Sequence, residues 1–160
     1  RNVCILLNLE EDGVLRYDAV DEQAISIAAG ISQMLIACGI NVSMLSNGCD
    51  VDTKSPVVIN NGSGTGHLNN INTALARIDT GIAMEEYSAM LEKIFEPDNM
   101  RIESGYVYVL ISASRRKKLQ SVINKISRLQ ADMVWIVPHF PGDDYGLELC
   151  DFEPVGWEVK

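Results

Sequence analysis

The sequence predicts an α/β domain with a doubly wound, mostly parallel sheet that carries one antiparallel edge strand and has helices on both faces. Short continuous apolar runs are typical of strands that are buried on both faces. These runs alternate with amphipathic helical patterns, as in successive β-α-β units. The length of 160 residues suits one domain with its own core. We therefore expect a single domain over residues 1–160.

The first part of the chain contains three predicted strands and a long helix. Residues 2–9 are continuously apolar and indicate a central strand. Apolar residues at helical spacing predict a helix over Val20–Cys38, and Gly39 predicts its C-terminal end. Residues 40–46 and 56–59 are the next two strands, before and after a turn predicted at Asn47-Gly48. The proline that opens the 56–59 strand favours an edge position, and the short connection favours an antiparallel pair.

The remaining part of the chain continues the alternation. Pro97 is expected to end a helix, and Ser114 to cap the N-terminus of another. Parallel strands in such an order predict helices that cross over both faces of the sheet. The predicted elements are helices over 68–78, 84–95 and 119–129, and strands over 105–112, 132–137 and 155–159.

Composition and charge exclude several functions. Apolar residues make up 47% of the chain and charged residues 22%, as in ordinary globular proteins. The net charge of −9 argues against a nucleic-acid surface and against docking on anionic lipid. No apolar run is long enough to span a membrane. The chain begins at Arg1 without an initiator methionine or a leader, so we expect it to be a piece of a longer protein.

The residues capable of metal or nucleophilic chemistry are widely spaced. No pair of cysteines or histidines has zinc-ligand spacing, and no nucleophile motif such as G-x-S-x-G is present. His67 and His139 both fall in predicted loops. We expect the cysteines to be free thiols in a reducing compartment. The cysteines are Cys4, Cys38, Cys49 and Cys150.

Ligand crevices of doubly wound sheets lie at the carboxyl ends of the strands. Four loops are therefore candidates: residues 8–18, 60–67, 112–118 and 138–144. The first loop places Asn8, Glu10, Glu11 and Asp12 directly after the first strand. Carboxylate and amide oxygens suit Mg²⁺ or Ca²⁺, although a solvated acidic turn would have the same composition.

Two further loops have distinctive compositions. Residues 62–66 are rich in glycine and precede a helix, so they could hold an anion, lend Thr65 to a metal, or serve as a flexible connector. The other loop is basic in an acidic chain, and its cations could pair with an acidic partner or with the chain's own carboxylates. We expect it to bind a partner. Its cations are Arg115, Arg116, Lys117 and Lys118.

The arrangement resembles a known group of domains. The segment Asn8-Leu9-Glu10-Glu11-Asp12 stands where von Willebrand A domains carry Asp-x-Ser-x-Ser. Three longer segments, EQAISIAAGISQMLIACGINVSMLSNG, GHLNNINTALARI and YVYVLISAS, resemble the bacterial family called domain of unknown function number 58. The likeness runs from about Val3 to Val137. It implies a von Willebrand A-like, Rossmann-like three-layer fold.

The resemblance also implies where a metal would bind. The metal-ion-dependent adhesion site takes Asp, two Ser, Thr and a second Asp from three loops. Asn8, Glu10 and Asp12 fall at the first three positions, so neither serine is kept. The threonine falls near Thr65 or the glycine after it, and the final aspartate corresponds to Ala113. Because a methyl group cannot coordinate a cation, we expect a degenerate, empty site and no cofactor. The alternative is a divalent cation such as Mg²⁺, held by Glu10 and Asp12 in another geometry.

These observations favour a non-catalytic protein-interaction module over an enzyme. Members of the similar family often have membrane-spanning segments ahead of this domain and are often encoded beside MoxR-type AAA+ ATPases, with a suspected assembly or chaperone-like role. The resemblance therefore implies an AAA+ ATPase partner and a cytoplasmic domain, whose parent reaches the cell membrane only through segments outside this chain. Two alternatives stay open. One is a divalent-metal-dependent, phosphate-binding enzyme that uses the acidic strand-end loop, and the other is a purely structural domain.

Overall fold

A mostly parallel sheet forms the middle layer of the computed structural model, which describes residues 1–95, 105–129 and 132–160. Its strand order is β3-β2-β1-β5-β6-β7, with β4 paired to β2 beyond this path. The strands are β1 (Asn2–Asn8), β2 (Asn41–Asp50), β3 (Pro56–Gly62), β4 (Ile78–Asp79), β5 (Tyr106–Ser112), β6 (Asp132–His139) and β7 (Val155–Glu158). The helices are α1 (Asp18–Ala37), α2 (Thr65–Ala76), α3 (Tyr87–Ile94) and α4 (Lys117–Arg128).

The pairing of the strands confirms the predicted fold class. β1 pairs in parallel with β2 and β5, and the parallel series continues through β6 to β7. β3 is the predicted antiparallel edge strand and pairs with β2. The two-residue β4 is also antiparallel to β2 and was not predicted, because so short a segment carries no periodicity.

Apolar residues on the two faces of the sheet form two separate cores. In β1, Val3, Ile5 and Leu7 pack beneath α1 and α2. Leu6 faces the opposite side and packs with Tyr87 of α3 and residues of α4. This alternation, together with burial on both faces, explains why the central strand is continuously apolar. The result is a three-layer α/β arrangement of the von Willebrand A-like, Rossmann-like type.

The described residues test the local predictions made at Gly39 and at Asn47-Gly48. Gly39 ends α1 as expected, with a φ of 75°. The turn predicted at Asn47-Gly48 is wrong, because both residues lie inside β2. Gly48 serves close packing instead, since a Cβ there would lie 2.8 Å from the Leu9 Cδ1 atom. The helix end predicted at Pro97 lies outside the described residues.

The N-terminus of α4 also differs from the prediction. The helix begins at Lys117, so Ser114 lies too far upstream to cap it. The Ser114 hydroxyl instead donates a hydrogen bond to Asp12 Oδ1, at 2.7 Å. The described helices include none that is long and apolar enough to cross a membrane.

Candidate functional site

The strand register places three of the predicted loops at one edge of the sheet. Asn8 at the end of β1 pairs with Ser112 at the end of β5, and β6 ends alongside at His139. We call this side the carboxyl edge; it consists of residues 8–18, 79–86, 112–118 and 139–146. The loops after β1, β5 and β6 therefore meet where the fold class predicts a ligand crevice.

The glycine-rich loop is not at the carboxyl edge, and its predicted position is wrong. Gly62 at the end of β3 pairs with Val42, which in turn pairs with Val3 near the start of β1. The His67 ring donates from Nε2 to the Val42 carbonyl at 2.7 Å, which ties the loop to this opposite edge. Because β3 runs antiparallel to β2, its end lies beside the beginning of β2. Thr65 is therefore remote from Asn8, Glu10 and Asp12.

A different threonine lies close to the acidic loop. β4 pairs with Cys49 and Asp50, which brings the following segment to the carboxyl edge. Thr80 lines a shallow hollow there together with Glu10 and Arg116. The sequence contained a usable clue to this position. Because β3 was predicted to be antiparallel, the loop after it should emerge at the edge opposite to the loops after the parallel strands. The loop after the following helix, and not the loop after β3, returns to the ligand side.

Three buried polar side chains connect the ends of β1, β2 and β5. Asn47 donates from Nδ2 to Asn8 Oδ1 at 2.8 Å and accepts the Leu9 N–H at 2.9 Å. Asn8 donates from Nδ2 to Ser112 Oγ at 3.0 Å, and its Oδ1 also accepts the Glu10 N–H. Asn8 and Asn47 are only 1% and 0% exposed. Buried amides with this many partners fix the strand ends relative to one another.

Two carboxylates of the first loop, those of Glu10 and Asp12, are also bonded within the protein. Glu10 Oε1 accepts the Tyr87 N–H at 2.8 Å, at the N-terminus of α3. Asp12 Oδ1 accepts the Ser114 hydroxyl and also the Arg115 N–H at 3.0 Å. Each carboxylate thereby joins its loop to a neighbouring element. Within residues 1–95, 105–129 and 132–160, no group of three or more His, Cys, Asp or Glu side chains is placed to hold a metal ion.

The basic cluster contributes to the same structure. Arg115 donates to the carbonyls of Asp144 and Gly146 at 2.6 and 2.8 Å. Arg116 donates to the Glu11 carbonyl at 2.6 Å and lies 3.6 Å from Glu10 Oε2. Lys118 pairs with Glu86 at 2.9 Å. Arg116 and Lys118 thus pair with the chain's own carboxylates, which was one of the two possibilities the sequence left open, whereas Arg115 bonds to backbone carbonyl groups. Lys117 begins α4 with an exposed side chain.

A buried pair of carboxyl groups lies behind the loop. Glu11 Oε1 and Asp21 Oδ2 are buried and have no hydrogen-bond partner. The pKa of Glu11 is raised to about 7, mainly by burial; repulsion from Asp21 adds to this rise, and the Arg16 guanidinium opposes it. Burial also raises the pKa of Asp21, again against the effect of Arg16. A proton on Glu11 therefore relieves both the desolvation and the repulsion.

This pair makes stability depend on pH in a defined direction. Between 4.5, the ordinary pKa of the group, and about 7, the folded state binds more protons at Glu11 than the unfolded state. The free energy of unfolding should therefore fall as pH rises through that window. Glu11→Gln should reduce this dependence and stabilise the protein on the order of 1 kcal/mol on the alkaline side. Thermal unfolding across the window measures both effects. Glu22→Gln, at an exposed position of α1, should leave the slope in place, and an unchanged slope in Glu11→Gln would contradict the assignment.

The two histidines do not form a site. His67 lies at the opposite edge, whereas His139 ends β6 and stacks on Tyr145 with ring centroids 4.4 Å apart. The four cysteines are free thiols and are likewise dispersed over the fold. The carboxyl edge therefore combines buried amides that are bonded to one another with carboxylates that accept backbone and hydroxyl donors, and this arrangement is suited to presenting a fixed surface.

Comparisons with known proteins support the fold and not a particular activity. No protein-family model and no curated protein matches the sequence. Among solved structures, the chain is similar to proximal thread matrix protein 1 from the mussel byssus, with a TM-score of 0.55, 8% identity, and coverage of 86% of this chain and 37% of that one. It is also similar to the pilus adhesin SpaC from Lactobacillus rhamnosus GG, with a TM-score of 0.50, 10% identity, and coverage of 89% and 24%.

A third similar structure is covered more completely. An aerotolerance-related membrane protein from Bacteroides fragilis matches with a TM-score of 0.52 and 13% identity, over 95% of this chain and 75% of that one. The chain spans well under half the length of the first two proteins. At such low identity the likeness concerns the fold alone, and one fold hosts many functions. The class defined here is a doubly wound α/β domain with a polar carboxyl edge.

Proposed function

We propose that this domain is a non-catalytic protein-interaction module that binds its partner through the carboxyl edge. The partner implied by the sequence resemblance is a MoxR-type AAA+ ATPase, in assembly or chaperone-like work. We further propose that the domain acts in the cytoplasm without a cofactor, and that its parent protein is attached to the cell membrane by segments outside this chain.

The hydrogen bonding of the carboxyl edge carries this proposal. Asn8, Asn47 and Ser112 bond to one another, and the carboxylates of Glu10 and Asp12 bond to backbone or hydroxyl donors. A substrate or a cation at these oxygens would have to compete with the existing bonds. Ala113, at the position of the missing metal-site aspartate, offers no replacement ligand. Such an edge is suited to binding through its shape and surface charge.

Binding to a purified MoxR-type ATPase tests the proposal. Surface plasmon resonance with the immobilised ATPase should give saturable binding that is equal in Mg²⁺ and in EDTA when the nucleotide is omitted. Asn47→Ala should weaken binding because it loosens the edge, whereas Asn61→Ala at the opposite edge should leave binding unchanged. Absence of binding to such ATPases would contradict the proposed partner. Binding that disappears in EDTA would contradict a metal-independent edge.

The enzymatic alternative is less compatible with the fold. That hypothesis requires a cation bound at Glu10 and Asp12 and a phosphate group bound by residues 62–66. The strand register places that glycine-rich loop at the opposite edge of the sheet. Hydrolysis of p-nitrophenyl phosphate in Mg²⁺ or Mn²⁺ should therefore not exceed the rate in buffer. A metal-dependent rate that Glu10→Gln abolishes and Asp132→Asn preserves would favour the enzyme instead.

A further inference from the structure

The loop that follows β1 is anchored firmly at its base. Arg16 folds back and donates from both terminal nitrogens to the Leu9 carbonyl, at 2.8 and 2.6 Å. The same guanidinium lies 3.4 Å from Asp21 Oδ1. At the other side, Asp12 holds the loop against Ser114 and the Arg115 backbone. Both ends of the segment 13–15 are therefore fixed, and its three residues project from the carboxyl edge.

The projected residues are apolar and exposed. Val14 is 104% exposed and Leu15 is 68% exposed, in direct succession. The Tyr17 ring follows and contacts Phe140 edge-on, with centroids 5.4 Å apart. Adjacent large apolar side chains that point into water gain most by burial against another surface. We call Val14 and Leu15 the apolar tip.

The charge around the apolar tip indicates which kind of surface would cover it. Asp12 and Asp18 flank the tip along the chain and are exposed, and Asp143 and Asp144 are exposed across the cleft above Ala113. Arg115, which lines the same cleft, already donates to two carbonyl groups. Arg16 and Arg116, which line the hollow beside Val14, are likewise bonded to the Leu9 and Glu11 carbonyls. A second copy of the chain would present the same acidic rim, so like charges would oppose contact between two apolar tips.

We propose that the apolar tip docks onto a basic protein surface, where lysine or arginine side chains surround an apolar hollow. The tip would enter the hollow, and the four flanking aspartates would pair with the cations around it. This inference rests on the proposed interaction function and adds the position and chemistry of the contact. It also reverses the role expected for the basic cluster, because the recognising charges are acidic.

Two short peptides of opposite charge test the chemistry without a natural partner. One alternates lysine with leucine, and the other replaces every lysine by glutamate. Fluorescence anisotropy should show that the lysine peptide binds, with affinity that falls as salt is added, and that the glutamate peptide does not. Amide chemical-shift changes should concentrate in residues 12–18 and 143–146. Equal binding of the two peptides, or shift changes spread over the whole acidic surface, would overturn the inference.

Variants locate the contact on the chain. Val14→Ser with Leu15→Ser should weaken lysine-peptide binding about tenfold. The matched control is Val58→Ser. Val58 lies on the edge strand β3 and is 65% exposed, and its replacement should not change binding. Asp143→Asn should weaken binding and reduce its salt dependence, whereas Asp132→Asn at the far end of β6 should do neither. Loss of binding in the control variants to the same degree would overturn the inference.

The ATPase experiment separates this inference from the proposed function. ATPase binding that is unaffected by the double serine variant would support the interaction function and overturn the apolar tip as its contact. Localised binding of the lysine peptide without any ATPase binding would support the tip and contradict the ATPase as partner. Loss of both interactions in the double serine variant, with Val58→Ser unchanged, would support the two proposals together.

Discussion

Asn47→Ala should lower the free energy of unfolding by about 3 kcal/mol. The Asn47 amide accepts the Leu9 N–H and donates to Asn8 Oδ1 and to the Glu85 carbonyl, at 2.9, 2.8 and 3.3 Å. The side chain is fully buried, so water cannot replace these bonds without opening the edge. The Leu9 N–H would remain buried without an acceptor, and unsatisfied buried donors cost more than the bond itself contributes.

Denaturant unfolding followed by circular dichroism measures this loss. Asn61→Ala is the matched control, because the Asn61 amide donates a single exposed bond to Asn2 Oδ1 at 2.9 Å. The control should change stability by less than about 0.5 kcal/mol. A loss in Asn47→Ala no larger than in the control would show that the buried network does not hold the strand ends.

Trp135→Ala should have a still larger effect, about 4 kcal/mol. Trp135 is fully buried among the residues beneath α3 and α4, and it is among the largest side chains in that core. Its indole nitrogen donates to the Ser112 carbonyl at 3.1 Å. Truncation would leave a cavity and remove a bond that supports the end of β5 from the face opposite α1.

Trp135→Phe separates the two contributions. Phenylalanine keeps most of the apolar volume but cannot donate to the Ser112 carbonyl, so we expect a loss of about 1–2 kcal/mol. Thermal and denaturant unfolding of both variants give the comparison. Nearly equal losses in the alanine and phenylalanine variants would contradict the view that packing provides most of the stabilisation at this position.

The sequence was sufficient to predict the layers of the fold. Buried parallel strands must be apolar on both faces, so β1, β5 and β6 stand out as continuous apolar runs. The stripe along α4 is equally clear, because one face of that helix packs on the sheet and the other faces water. The prediction of a turn at Asn47-Gly48 was wrong because the same two residues are suited both to a turn and to a tightly packed strand end. Only the tertiary neighbours, Leu9 above all, decide between them.

The site could be predicted only in part. Residue order shows that Asn8 lies at the end of one strand and that Ala113 follows another, and strand ends in a parallel sheet share an edge. The direction of β3 decides where the next loop emerges. The threonine predicted beside the acidic loop was Thr65, whereas Thr80 lines the hollow there. The basic cluster illustrates a second limit. Whether Arg115 and Arg116 face a partner or fold onto the Asp144 and Glu11 carbonyls depends on side-chain geometry, which no local pattern encodes.

The central claim is that hydrogen bonds between side chains, and not a cation, close the carboxyl edge. Amide NMR spectra of the domain titrated with Mn²⁺ test it most directly, because a bound paramagnetic ion broadens nearby resonances. We expect the resonances of Leu9, Asp12 and Ala113 to broaden no more than those of exposed carboxylate regions elsewhere, such as Asp132. Selective, saturable broadening around Ala113 that EDTA reverses would contradict the claim.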